Sequence, residues 1–179
     1  MTEEHTIEEL HQAETVQEEK EHNHHNPTAA AMTNHIISNQ AILHVKLHQY
    51  HWYVKGPNFF SLHEKFENLY DENAKYYDEI AERLIASGVK PASTTEEYTK
   101  YGLISESPKD KYLSAEKMVE NLVDDYRLTR DLTLRTIRLA KEEDFVLEDT
   151  MIEYKNYLDK TIWMLQAFLG QSALEGEDE

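Results

Sequence analysis

Glycine and proline are almost confined to short clusters, Gly56-Pro57, Gly88 with Pro91, Gly102 with Pro108 and Gly170 near the end, and the chain between them carries four long stretches of helical periodicity. The first stretch, roughly 28 to 55, follows Pro27 and sets Met32, Ile36, Leu43, Leu47, Tyr50 and Val54 on one stripe. The second, roughly 61 to 87, repeats the pattern with Phe66, Leu69, Tyr76, Ile80 and Leu84, with Ser61 as the expected cap before it and Gly88 after it. The third runs from a cap at Ser114 to about 141, with Met118, Leu122, Val123 and Tyr126 inward. The fourth, about 146 to 169, is the most regular: Leu147, Met151, Tyr154, Leu158, Ile162, Leu165 and Leu169. No stretch alternates as a strand does, and no segment repeats. The expectation is an all-α four-helix bundle. The connection from about 88 to 113, with a short helix near Glu96 to Tyr101, is long enough for a crossover between the second and third helices.

With 179 residues the chain has the size of one domain, expected as a bundle over 27–171 between an N-terminal tail, 1–26, and an acidic C-terminal tail, 172–179. The N-terminal tail holds eight Glu, one Lys (Lys20) and five His (His5, His11, His22, His24 and His25), a composition expected to stay solvated and mostly flexible. Thr6-Ile7-Glu8-Glu9 matches a capping box, which allows a short helix through about Glu19.

The absence of cysteine excludes disulfides, thiolate metal ligation and a cysteine nucleophile. No stretch approaches the roughly 20 apolar residues that span a bilayer, and the acidic start is unlike a secretory signal, so a soluble cytoplasmic protein is expected. A formal charge of -17 opposes sequence-independent DNA binding and favours cations, although acidity also serves plain solubility. Gly-rich phosphate loops, dinucleotide fingerprints and nucleophile elbows are all missing.

Two residue pairs on the second helix carry chemistry. His63 and Glu67 lie four apart, as do Asp78 and Glu82, so each pair projects from one face and could grip one cation. Glu67 and Asp78 stand eleven residues apart, about 16 Å along a helix, so one ion cannot touch both pairs within one subunit. Two copies of the helix running antiparallel across a two-fold axis would bring the first pair of one chain to the second pair of its partner. The first helix adds His44, His48 and His51, a histidine stripe that is otherwise mere surface decoration. Imidazoles mixed with carboxylates suit ferrous iron, and the carboxylate oxygens then favour the ferric product. Glu-x-x-His pairs, which mark a metal site inside a bundle, are absent from the four helical stretches.

The run from His51-Trp52-Tyr53-Val54-Lys55-Gly56-Pro57-Asn58-Phe59-Phe60-Ser61-Leu62-His63 to Glu64-Lys65-Phe66, followed by Asp78-Glu79-Ile80-Ala81-Glu82-Arg83-Leu84 and by Ile162-Trp163-Met164-Leu165, closely resembles the Dps family of mini-ferritins over about residues 30 to 170. The resemblance implies a ferritin-like bundle assembled as a dodecameric hollow shell. Its ferroxidase centres lie between two-fold-related subunits, with His51, His63 and Glu67 from one chain and Asp78 and Glu82 from the other. It implies oxidation of Fe(II), with hydrogen peroxide preferred to dioxygen, and storage of Fe(III). Position 67 is often Asp in this family, so the resemblance implies that Glu67 reaches the metal differently or through water. Trp52 beside the centre reads either as an electron donor or as a packed interface aromatic.

Similar proteins line three-fold pores with acidic groups, which makes Asp144 and Asp149 the pore candidates, with Glu148 and Glu153 behind them; a helix N-terminus explains such carboxylates equally well. DNA-binding members carry basic extensions, whereas the tail here is acidic, so direct DNA binding is not expected. His22, His24 and His25 are candidates for zinc or another divalent metal against the plainer reading of a solvated tail. The competing functions are a nucleoid DNA binder and a metal buffer without turnover.

Overall fold

The computed structural model describes Ile7, Glu9, Leu10, Gln12 and residues 27–177. Ile7, Glu9, Leu10 and Gln12 are helical, in the region of the expected capping-box helix; the rest of that stretch, with His22, His24 and His25, lies outside the described residues.

Four long helices form the bundle: α1, Ala29–Tyr53; α2, Phe59–Ala86; α4, Ala115–Glu143; and α5, Phe145–Phe168. Between α2 and α4 lies the crossover, which carries the short helix α3, Thr95–Tyr101, and a 3-10 turn, Pro108–Tyr112. Among the described residues there is no strand, and no helix is long and apolar enough to cross a membrane. The fold is the expected all-helical bundle. Contacts such as His51 with His63, His44 with Tyr70 and Gln40 with Asn73 show α1 and α2 running antiparallel.

Local chemistry sets the helix ends. Thr28, Ser114 and Asp144 each accept a backbone N–H in the first turn of α1, α4 and α5, which otherwise leaves donors without partners. Thr94 and Glu97 close a capping box on α3. Ser61 is not the cap of α2: the helix starts two residues earlier after Asn58, and the Ser61 hydroxyl donates back to the Asn58 carbonyl. Beyond the end of α2, Gly88 takes a φ of 80°, which a residue with a Cβ adopts only under strain.

The expected stripes are the core. Ile36, Leu43, Leu47 and Tyr50 of α1 pack with Phe66, Leu69, Ile80 and Leu84 of α2, Met118, Leu122 and Tyr126 of α4, and Met151, Tyr154, Leu158, Ile162 and Leu165 of α5. Leu169 is only partly buried against this cluster.

The crossover is held by polar side chains of α1 that reach its backbone. Asn34 accepts from the Ala92 amide, Asn39 accepts from the Leu103 and Ile104 amides, and His35, Lys46 and Gln49 donate to the carbonyls of Tyr101, Ser105 and Ser107. The stretches of the connection outside its two short helical segments thereby find partners for their backbone groups. The acidic C-terminal stretch is docked through residue 177: Arg130 meets Glu177 at 2.7 Å, Arg127 donates to the Glu175 carbonyl, and Gln166 donates to the same carbonyl at 3.0 Å.

Candidate metal centre

The turn Val54–Asn58 folds α2 back on α1 and sets His51 against His63. Their rings stack at a centroid distance of 3.7 Å and an interplanar angle of 14°. His51 Nδ1 donates to the His63 carbonyl and His63 Nδ1 donates to the His51 carbonyl, each at 2.7 Å. A carbonyl only accepts, so both Nδ1 atoms carry hydrogen. With hydrogen on Nδ1, the lone pair of a neutral ring falls on Nε2, where a metal can take it, and both ring orientations are fixed before any ion arrives. Phe59 stacks on His63 at 5.0 Å and helps hold the second ring in place.

Glu67 lies one turn beyond His63 and is exposed. Asp78 and Glu82 are exposed farther along α2 and do not meet the histidine pair within the chain. Among the described residues no three His, Asp or Glu groups converge on one point. Trp52 is 66% exposed and meets His48 edge-on at 5.5 Å, so it borders the histidine stripe. His48 in turn stacks on Tyr70 at 3.9 Å and donates from Nδ1 to the His44 carbonyl.

The pore candidates separate. Both Asp144 oxygens accept from Arg83, at 2.9 and 2.7 Å, and the same carboxylate accepts from Ser87 and from the amides of Val146 and Leu147. Partial burial works against its charge, but the hydrogen bonds from Arg83, Leu147 and Ser87 outweigh burial and hold the carboxyl below the usual range. Asp149 and Glu153 are exposed and Glu148 is half-buried. The ion pair of Asp144 with Arg83 escaped sequence reasoning because its partners sit 61 residues apart.

Known proteins resemble this arrangement. The ferritin-like domain family matches residues 30–174. The DNA protection during starvation protein of Listeria innocua is 43% identical over 143 residues, covering 79% of this chain and 92% of the relative. DNA protection during starvation protein 2 of Bacillus anthracis is 40% identical, covering 82% of this chain and 99% of the relative. Among solved structures, Dps from Listeria monocytogenes superposes with a TM-score of 0.81 at 41% identity, covering 84% of this chain and 98% of that one. The Lactococcus lactis DpsB protein gives 0.87 at 33% identity, covering 94% and 97%. With that identity and coverage added to the bundle and its histidine pair, the chain belongs to the Dps family of ferritin-like proteins.

Proposed function

We propose that this protein is an iron-oxidising and iron-storing mini-ferritin, a dodecameric cytoplasmic cage whose ferroxidase centres lie between two-fold-related subunits. The observation that carries the reading is the reciprocal lock of His51 and His63, which presents two metal-ready nitrogens one helical turn from Glu67, while among the described residues no third His, Asp or Glu group completes a site with Asp78 and Glu82.

The docking register supports it. At about 100° per residue, Phe60, His63, Glu67, Asp71, Ala74, Asp78, Glu82 and Ile85 share an arc of about 100° on α2. Two antiparallel copies that set Glu67 opposite Asp78 of the partner subunit also set His63 opposite Glu82 of the partner subunit. The same register sets Phe60, 84% exposed, opposite Ile85 of the partner subunit, the counterpart of an Ile85 that is 60% exposed here. Ligands pair with ligands and apolar groups with apolar groups, as a self-complementary contact requires. Phe145 and Trp163, also exposed, offer further apolar surface for assembly.

Iron is the substrate. Two Fe(II) ions each give one electron, the O–O bond of one hydrogen peroxide molecule takes both, and two protons complete two waters. Imidazole and carboxylate donors accept Fe(II), and the harder carboxylate oxygens favour Fe(III) as it forms. Asp149, exposed near the start of α5, is the pore residue of this proposal; Asp144 is a cap and ion-pair partner. DNA protection then works by removing iron and peroxide, since the acidic tail repels phosphate.

Mixing the protein with Fe(II) and hydrogen peroxide should give soluble ferric absorbance, and His63→Ala with Asp78→Ala should slow it at least tenfold. Undiminished oxidation in the double variant overturns the reading. A gel shift at low salt with metal chelated should leave DNA unretarded.

A further inference from the structure

We propose that Asp71 and His44 from two subunits meet at the two-fold axis to form a second divalent-cation site, midway between the two oxidation centres. The inference rests on the docking register above. In that register Asp71 sits opposite Ala74 of the partner subunit, so the two Asp71 residues lie three positions apart, about 4.5 Å along the helix direction. The small Ala74 side chain leaves room beside each carboxylate. Two carboxylates this close across an axis repel each other unless a proton or a cation lies between them.

His44 supplies the second donor type. It projects from α1 toward the same part of α2: its ring meets Tyr70 edge-on at 6.1 Å, and the Asp71 charge acts on it. A neutral imidazole carries hydrogen on one nitrogen and keeps a lone pair on the other for a metal. Burial, then neighbouring His48, pushes the His44 pKa down and favours that neutral ring. Two imidazoles and two carboxylates make a four-donor N2O2 set, which suits zinc or cobalt in tetrahedral coordination. Among the described residues of a single chain no three such groups converge, so this site too is incomplete without a second copy.

Symmetry separates it from the oxidation centres. An ion on the axis binds once per two subunits, whereas each subunit has its own oxidation centre. In a full-length His63→Ala, Asp78→Ala background, titration with Co(II) should show the visible band of tetrahedral cobalt. Adding Asp71→Asn, or separately His44→Gln, should abolish that band and lower bound cobalt by about one half ion per subunit. EDTA should lower the thermal midpoint of this background and leave its Asp71→Asn derivative unmoved. Native mass spectrometry distinguishes the two failures. A monomeric protein overturns the docking register and this site together, whereas an assembled protein whose tetrahedral band is absent or survives Asp71→Asn overturns the site alone.

Discussion

His51 and His63 each donate a ring Nδ1–H to the other's backbone carbonyl at 2.7 Å and stack at 3.7 Å, so each ring is held by the other residue's main chain and by the other ring. Removing one ring therefore costs more than one ligand. His63→Ala takes away its own Nε2, leaves the His51 carbonyl without its donor and unstacks the His51 ring. Loss of an orienting partner alone typically lowers metal affinity by about 10- to 100-fold. Fe(II) affinity in His63→Ala should fall by at least that factor under anaerobic titration, and an unchanged dissociation constant would show that the pair does not hold the metal.

Lys46 and Asp125 join α1 to α4 as a buried ion pair at 2.6 Å. Burial pushes the Asp125 carboxyl up, Lys46 pulls against that rise, and Asp124 and Asp110 add to it. A raised carboxyl contributes stability that is complete below its unfolded value and is lost as pH rises through the folded one. Lys46→Met removes the opposing charge, so the folded value climbs further and the cost grows toward neutral pH. The variant should lose about 3 kcal/mol at pH 7 and visibly less near pH 5, with Lys46→Met, Asp125→Leu recovering most of it. Urea unfolding at one fixed protein concentration measures all three.

Asp144 behaves in the opposite sense. Its folded pKa is depressed, so its contribution is present above the unfolded carboxyl value and is lost as pH falls through the lower folded one. Asp144→Ala leaves the first amides of α5 and the Arg83 guanidinium without their acceptor, and should cost about 1–2 kcal/mol at pH 7. Unfolding curves of variant and parent should approach each other below about pH 4. A gap that widens on acidification would rule out the cap and ion pair as the source of the effect.

The four helices and their core stripes were readable because burial repeats with the helical period, and a residue such as Leu158 announces its face through neighbours three and four positions away. The separation of Glu67 from Asp78 along α2 was readable too, from the rise of a helix between them. The reciprocal histidine lock was not, because it depends on how the Val54–Asn58 turn returns the chain, and turn geometry is weakly encoded in spacing. Nor was the clamp on the crossover, where Asn39 and Lys46 look like ordinary helical polar residues until their distant backbone partners arrive.

Asn39 puts that clamp to the test. It is fully buried; its Oδ1 accepts from the Leu103 amide at 2.7 Å and the Ile104 amide at 3.3 Å, while its Nδ2 donates to the Thr129 hydroxyl at 3.3 Å. Asn39→Ala leaves two backbone donors and one hydroxyl short of a partner around a fully buried position, at a cost of about 1–3 kcal/mol. Because those donors belong to the crossover and not to a long helix, the damage should be local before it is global. Hydrogen exchange at Leu103 and Ile104 should accelerate by about tenfold or more, following about 1.4 kcal/mol per decade, while amides in the middle of α4 keep most of their protection. Equal acceleration in both places would mean that Asn39 supports the bundle as a whole and that the crossover is held by its other contacts.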